Sequence, residues 1–398
     1  MTLNLDSIFR QVDELHSQMI EWRRDFHQYP EIGFEEERTS KIVANLLKDW
    51  GIEVKTNVAK TGVVGLIEGR GEGNKTVALR ADMDALPMQE ENEVSYKSKV
   101  DGRMPACGHD GHTAMLLGAA KVLSSNREYI NGNVKLIFQP AEEGPGTGGA
   151  LPMIKEGVLD DVDAIFGLHL STTIPTGQLG INMGPGMAST DVFEITMIGK
   201  GGHAGYPHEA VDAIAMGIRV FTEIQYMVSR HVDPMEPLVV SIGTFKGGFV
   251  SNVIAERCEI TGTIRTYSDN LRKKIIENIK DIANHVANIS GGECEVNIIP
   301  GLPPLINDLN IAQFSIDVGK QVLGADKVNI LEKASMGGED FAYYLQKIPG
   351  AFMWLGARNE GKGFVNQPHH PKFDFDEDAL ALGCKMHIGL ALEYLKNQ

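Results

Sequence analysis

Apolar residues recur at three- and four-residue intervals through Ile8, Val12, Leu15, Met19 and Trp22, which predicts an amphipathic helix over about residues 5–29. Pro30 ends it. A second helix is predicted over 35–50, with Ile42, Val43, Leu46 and Leu47 on its apolar face and Gly51 as its stop. Short β-type runs follow at 62–68 and 76–80, and the glycine-rich 69–73 between them predicts a hairpin. An alanine- and leucine-rich helix at 113–123 precedes strand-type runs at 134–138 and 163–168. Strands alternating with helices point to an α/β domain.

The texture changes around Gly184-Pro185-Gly186. Strand patterns at 191–198, 238–245, 254–266 and 293–298 are interleaved with helical patterns at 208–227 and 269–287. The order β-α-β-β-α-β is that of the ferredoxin-like split βαβ unit. It predicts an inserted α+β domain over residues 184–301, with Gly301-Leu302-Pro303-Pro304 as its exit. Residues 1–183 and 302–398 then form the first domain, which resumes with a helix at 311–323, a strand at 352–355 and a closing helix at 378–395.

Composition agrees with two domains, since 398 residues exceed one simple core. A formal net charge of -16 argues against a nucleic-acid partner, which needs a basic face. An acidic protein can still take a small anionic substrate through a local arginine. The polar start, residues 1–9, has no apolar core of a signal peptide, and no run of about 18 apolar residues suggests a membrane span. Cys107, Cys258, Cys294 and Cys384 are scattered, as in a reduced, cytoplasmic protein.

The densest chemistry is Cys107-Gly108-His109-Asp110-Gly111-His112, with a thiol, two imidazoles and a carboxylate. Ligand sites of α/β sheets form at the carboxyl ends of strands. Asp82, Asp84, Glu142, Glu143 and His169 fall at such ends. Cys, His, Asp and Glu together suit zinc, manganese, cobalt or nickel. Of two adjacent glutamates, one can bind metal while the other moves a proton. Asn366-Gln367-Pro368-His369-His370-Pro371 adds two imidazoles, and Gly201-Gly202-His203-Ala204 adds one after a strand. Taken singly, each has a plainer reading: a buried thiol, solvated glutamates, a surface turn, a structural histidine. The glycine-rich 144–149 lacks the Lys-Ser/Thr of a phosphate loop, 199–202 lacks a dinucleotide fingerprint, and no Gly-x-Ser-x-Gly elbow is present.

Together these stretches resemble the M20 metallopeptidase family and, within it, the amidohydrolase branch of N-acyl-amino-acid deacylases, hippurate hydrolases, indole-acetyl-amino-acid hydrolases and N-acetyl-diaminopimelate deacetylases. The resemblance rests on Arg24-Asp25-Phe26-His27-Gln28-Tyr29-Pro30-Glu31, Leu79-Arg80-Ala81-Asp82-Met83-Asp84-Ala85-Leu86-Pro87, the Cys107–His112 stretch, Gln139-Pro140-Ala141-Glu142-Glu143-Gly144, Gly167-Leu168-His169, the His203 turn, Gly262-Thr263-Ile264-Arg265 and Gly337-Gly338-Glu339-Asp340-Phe341. These run in the family's order over nearly the whole chain.

The resemblance implies a catalytic domain with a mixed central sheet flanked by helices, an inserted lid and dimerisation domain, and two divalent ions per chain, Mn2+ or Zn2+ with Co2+ or Ni2+ as alternatives. Cys107, His109, Glu143 and His169 match metal ligands, Cys107 standing where most of the family has a bridging aspartate. The family's histidine-x-proline pattern in the tail favours His369 as the last ligand, with His370 the alternative. Glu142 matches the general base, Asp84 a carboxylate supporting the metals, and His203 a lid histidine that steadies the oxyanion. Asn252 and Arg265 match positions that meet the substrate's carboxylate. The expected activity is hydrolysis of N-acyl-L-amino acids, N-acetyl, N-benzoyl or similar, with no membrane partner and a homodimer formed through the lid. A carboxypeptidase or dipeptidase of the same fold, a catalytically silent metal-binding scaffold and a single-metal structural zinc protein are the alternatives.

Overall fold

The computed structural model describes residues 5–144 and 146–396. The reading of residues 1–9 therefore falls partly outside the described residues, as does Pro145 of the glycine-rich 144–149. In chain order the main elements are α1 (Leu5–Gln28), α2 (Glu37–Asp49), β1 (Glu53–Val58), β2 (Gly62–Glu68), β3 (Thr76–Asp82), α3 (His109–Ser125), β4 (Asn133–Gln139), β5 (Ala164–Pro175) and β6 (Leu179–Ile181). Then come β7 (Asp191–Ile198), α4 (Ala213–Arg230), β8 (Leu238–Gly247), β9 (Arg257–Thr266), α5 (Asp269–Ser290) and β10 (Glu293–Ile299). The chain closes with α6 (Leu309–Leu323), β11 (Val328–Ile330), β12 (Gly350–Arg358) and α7 (Asp378–Lys396). No helix among the described residues is long and apolar enough to cross a membrane.

Two compact units divide these elements. The first comprises the chain up to Gly186, Ile306–Lys333 and the chain from Asp340 on; the second comprises Met187–Leu305 with Ala334–Glu339. The short Ala334–Glu339 piece joins the second unit through hydrogen bonds. The Ala188 N–H donates to the carbonyls of Ser335 and Gly337, both at 3.0 Å, and the Tyr267 hydroxyl to that of Ala334 at 2.9 Å.

The first unit is built on a mixed eight-stranded sheet in the order β1-β2-β4-β3-β5-β12-β6-β11. Its core gathers the buried stripe of α1 (Ile8, Val12, Met19, Phe26), nearly all of α3, and α7. Burying each such side chain contributes about 1.5–3 kcal/mol. Strand β3 runs parallel to both β4 and β5, so the carboxyl ends of all three point the same way.

The expected β2–β3 hairpin does not form. Strand β4 lies between the two, and β2 instead pairs antiparallel with β1. The glycine-rich connection is occupied elsewhere: the Gly69 and Gly71 N–H groups donate to the carbonyls of Gly132 and Ile130, at 2.9 and 3.0 Å. His169 also lies inside β5, not at its end, although the β3–β5 ladder stops at Gly167.

The second unit pairs its strands antiparallel in the order β8-β9-β7-β10, with α4 and α5 packed on the sheet. This is the ferredoxin-like arrangement. Phe193, Ile195 and Met197 alternate inward along β7 and meet Val220 and Ile224 of α4 and Ile275 and Ile279 of α5. Helix α4 starts at Ala213, later than the predicted 208. The Asp212 carboxylate accepts the N–H groups of Ile214 and Ala215, and the residues before it form a 3-10 turn that begins with Pro207.

Candidate metal centre

Five segments of the first unit bring ligand-type atoms together. Just past the end of β3, the buried Asp84 reaches three residues of two other segments at once. Its two carboxylate oxygens accept the backbone N–H groups of Glu142 and Glu143, at 3.0 and 2.9 Å. Its main-chain carbonyl lies 2.9 Å from His109 Nδ1, and Oδ1 3.2 Å away. A carbonyl only accepts, so Nδ1 carries the proton and the Nε2 lone pair is left for the centre.

Gly108 precedes His109 with φ at 90°, a conformation open to glycine, and lets the chain turn directly into α3. Cys107, before it, is buried. His169 repeats the logic of His109. Its Nδ1 donates to the Leu170 carbonyl at 2.7 Å, and its Nε2 faces the Cys107 sulfur at 3.3 Å. From the tail, His369 Nε2 comes within 2.6 Å of Glu143 Oε1. Among the described residues that oxygen nonetheless has no hydrogen-bond partner, so the contact is off the hydrogen-bonding axis.

The donor atoms of Cys107, His109 and His169 lie within 4.8 Å of one another, as do those of Cys107, Glu143 and His369, and those of His109, Glu142 and Glu143. Cys107 is common to the first two groups. His109 Nε2 and Glu143 Oε1 are buried without hydrogen-bond partners among the described residues, a state that is costly unless something else satisfies them. A cation would do so, and thiolate, imidazole and carboxylate are the donor types that hold a borderline divalent ion. The donors fit a metal.

The electrostatics agree. The Cys107 sulfur and the Glu143 carboxylate beside it hold the His369 imidazole up to about 10. Burial pushes the Glu143 carboxyl up, but His369 and His109 more than offset it and the net shift is downward. Burial pushes the Cys107 thiol up against the pull of His109. Around Glu143 and His369 the site therefore favours positive charge.

His112 lies beside these residues with both ring nitrogens occupied. Nε2 accepts the Leu170 N–H at 2.9 Å and Nδ1 meets Asp82 at 2.6 Å, while Arg80 Nη1 pairs with the other oxygen of Asp82, also at 2.6 Å. It supports the strand that carries His169. His370 turns away as well, its Nδ1 accepting the Lys372 N–H at 3.0 Å.

In the second unit, His203 pairs across a two-residue ladder with Val253, and the Asn252 carbonyl accepts the Ala204 N–H at 3.1 Å, so these two residues are local neighbours. His203 Nδ1 accepts the Gly205 N–H at 3.0 Å. Arg265 stands on β9, half-buried, and its side chain makes no hydrogen bond or ion pair with the described residues. Burial lowers its pKa against the pull of Asp191.

Sequence reasoning missed two supports of the centre. Arg23 of α1 is fully buried between Asp110 and Asp374. Its signal was a charge on an otherwise apolar stripe. Glu36 is equally buried and accepts the Ala141 N–H; no local pattern marked it.

Residues 78–393 match the model of peptidase family M20/M25/M40. The chain is 42% identical over 391 residues to thermostable carboxypeptidase 2 of Saccharolobus solfataricus, covering 98% of each. It is 40% identical over 386 residues to N-acetylcysteine deacetylase of Bacillus subtilis, covering 96% of this chain and 98% of that one. Among solved structures it is similar to the Bacillus subtilis YXEP protein, a dinuclear metal-binding peptidase from the M20 family, with a TM-score of 0.84, 36% identity, and 97% and 100% coverage.

Proposed function

The chain belongs to peptidase family M20/M25/M40, and from that premise we propose that it cleaves the amide bond of N-acyl-L-amino acids, releasing a carboxylic acid and a free amino acid. It is a metal-dependent hydrolase of linear amide bonds. The observation that carries the substrate reading is the convergence of five ligand-type side chains with a second glutamate, Glu142, beside them, together with a relative named for deacetylating N-acetylcysteine.

Cys107, His109, His169, Glu143 and His369 are assigned as the residues that would hold two divalent ions, manganese or zinc with cobalt or nickel as alternatives. Such ions would supply Lewis acidity to the attacking water and the amide carbonyl. Glu142 takes the proton from that water and passes it to the leaving nitrogen. Asp84 fixes the backbone of both glutamates and the tautomer of His109. His203, as oxyanion donor, and Asn252 and Arg265, as partners of the substrate carboxylate, keep the roles that the family resemblance implies. Arg265 is supported further by pairing with no carboxylate among the described residues, since a guanidinium pairs bidentately with one.

The second unit is assigned as lid and dimerisation domain. The outer strand β8 and the exposed Ile218, Phe221 and Tyr226 of α4 support a homodimer through it, which sedimentation of the wild type and of Phe221→Lys would test. Four unpaired cysteines support a reducing, cytoplasmic setting.

Carboxypeptidase action is the second reading, favoured by the name of the Saccharolobus relative. Metal-reconstituted protein assayed on N-acetyl- and N-benzoyl-amino acids beside dipeptides and longer peptides, with metal content measured, separates the two. Turnover of acyl amino acids with two ions per chain is expected. Cleavage of peptides alone would favour the second reading, and a fully loaded, inert protein would overturn both.

A further inference from the structure

The turn that carries Glu142 and Glu143 leaves β4 through Ala141, whose φ of 52° lies in the left-handed region. That region is unfavourable for a residue with a Cβ and persists only where the surroundings impose it. Three successive backbone N–H groups are captured here by two buried carboxylates. Asp84 takes those of Glu142 and Glu143. The third, that of Ala141, goes to Glu36 Oε1 at 2.7 Å, while Glu36 Oε2 accepts the Thr61 hydroxyl at 2.6 Å.

The rest of the enclosure is steric. The Ala141 methyl is fully buried, and a Cβ added at Gly33 would lie 3.0 Å from it. The Ala141 carbonyl accepts the N–H groups of Gly144 and Gly149, at 3.2 and 3.0 Å. Among the described residues the Ala141 N–H is thus held by Glu36, which reaches it from the position that precedes α2. Glu36 belongs to none of the donor groups of the metal centre.

We propose that Glu36 is a positioning residue for the hydrolysis: by holding the Ala141 N–H it maintains the left-handed turn that aims Glu142 and Glu143. The proposal rests on the functional reading given above for those two glutamates. Glu36 touches neither substrate nor metal; it acts through the turn. Burial pushes its carboxyl up to about 7, so its work depends on an acceptor oxygen in place more than on a full negative charge. A glutamine can offer the same oxygen to Ala141 and its NH2 to the Thr61 hydroxyl.

The test compares Glu36→Ala and Glu36→Gln in the full-length, metal-loaded protein, by amide hydrogen exchange over residues 139–144, metal content, kcat and KM. For Glu36→Ala, exchange at these amides is expected to speed up at least tenfold and kcat to fall about 100-fold, as for a displaced catalytic group, with KM within about threefold. Glu36→Gln is expected to retain both protection and kcat. Wild-type protection and kcat in Glu36→Ala would overturn the proposal, as would a glutamine variant as impaired as the alanine one. Hydrogen exchange is read without substrate, so its answer stands apart from whether the chosen amides are hydrolysed.

Discussion

The backbone N–H of His369 donates to the carbonyl of Ala106 over 2.8 Å, fastening the tail loop to the residue before Cys107. His369 adopts a left-handed φ of 66° there, and its ring is delivered to Cys107 and Glu143 while that of His370 folds back on Lys372. A strained backbone at a residue that presents a ligand atom is the sort of local cost a functional site sustains.

The two histidines should therefore separate cleanly on substitution. His369→Ala is expected to lower bound metal from two ions per chain towards one and to reduce kcat by more than about 100-fold, beyond the usual effect of losing a ligand's support. His370→Ala should leave metal content unchanged and activity within about twofold. Metal analysis beside initial rates checks both; equal losses in the two variants would remove the assignment of His369.

Glu142→Ala is expected to keep its metal, because Glu143 and the other donors are untouched, and to lose about 10²- to 10⁴-fold in kcat, the usual range for a proton-transferring group. Near-normal hydrolysis by that variant would mean that another group moves the proton.

Much of this was legible in the chain, and the remainder was hidden for identifiable reasons. Helical and strand periods located most elements, because burial on one face imposes them. Strand partners were not legible: a run such as Gly62–Glu68 reads as a strand whether its neighbour is β3 or β4. Strand β1, Glu-Val-Lys-Thr-Asn-Val, is an edge strand with mostly exposed side chains, so it carries no apolar alternation. The site divides in the same way. Cys107 and His109 announced themselves by spacing, whereas Glu36 sits among three consecutive glutamates, of which Glu35 and Glu37 are exposed. Only the packing of the turn after β4 shows which one faces inward.

Arg23 offers a stability test. Its guanidinium lies 2.8 Å from Asp110 and 2.7 Å from Asp374 and stacks 4.3 Å from the centre of the Phe375 ring. Asp110 follows His109 directly, and Asp374 lies just beyond the His369 loop. Arg23→Met leaves buried carboxylates without the guanidinium between them, a loss of about 3–5 kcal/mol, and Arg23→Lys should recover only part of it because a single ammonium nitrogen cannot reproduce the separate Nε and Nη2 contacts. Urea unfolding of the three proteins would show the order; a lysine variant as stable as the wild type would mean that charge alone suffices.

His387 of α7 carries a pH dependence whose sign can be worked out. The ring is buried, its Nδ1 has no hydrogen-bond partner among the described residues, and burial, with some help from His112, lowers its pKa from 6.5 to about 3. The folded protein thus keeps this imidazole neutral down to about pH 3, whereas the unfolded chain protonates it near 6.5. Above the unfolded value there is no penalty. As pH falls below it, the unfolded state binds the extra proton and stability declines, at a limiting slope of about 1.4 kcal/mol per pH unit. Replacing the ring by His387→Leu removes that proton uptake. Near pH 5 the leucine variant should therefore gain about 2 kcal/mol relative to its own standing against the wild type near pH 8. Urea titrations of both proteins across that range measure the difference directly, and common effects of acid on the metal centre cancel. A stability difference that stays flat with pH would mean that His387 is protonated in the folded protein and that its surroundings provide the partner the burial denies it.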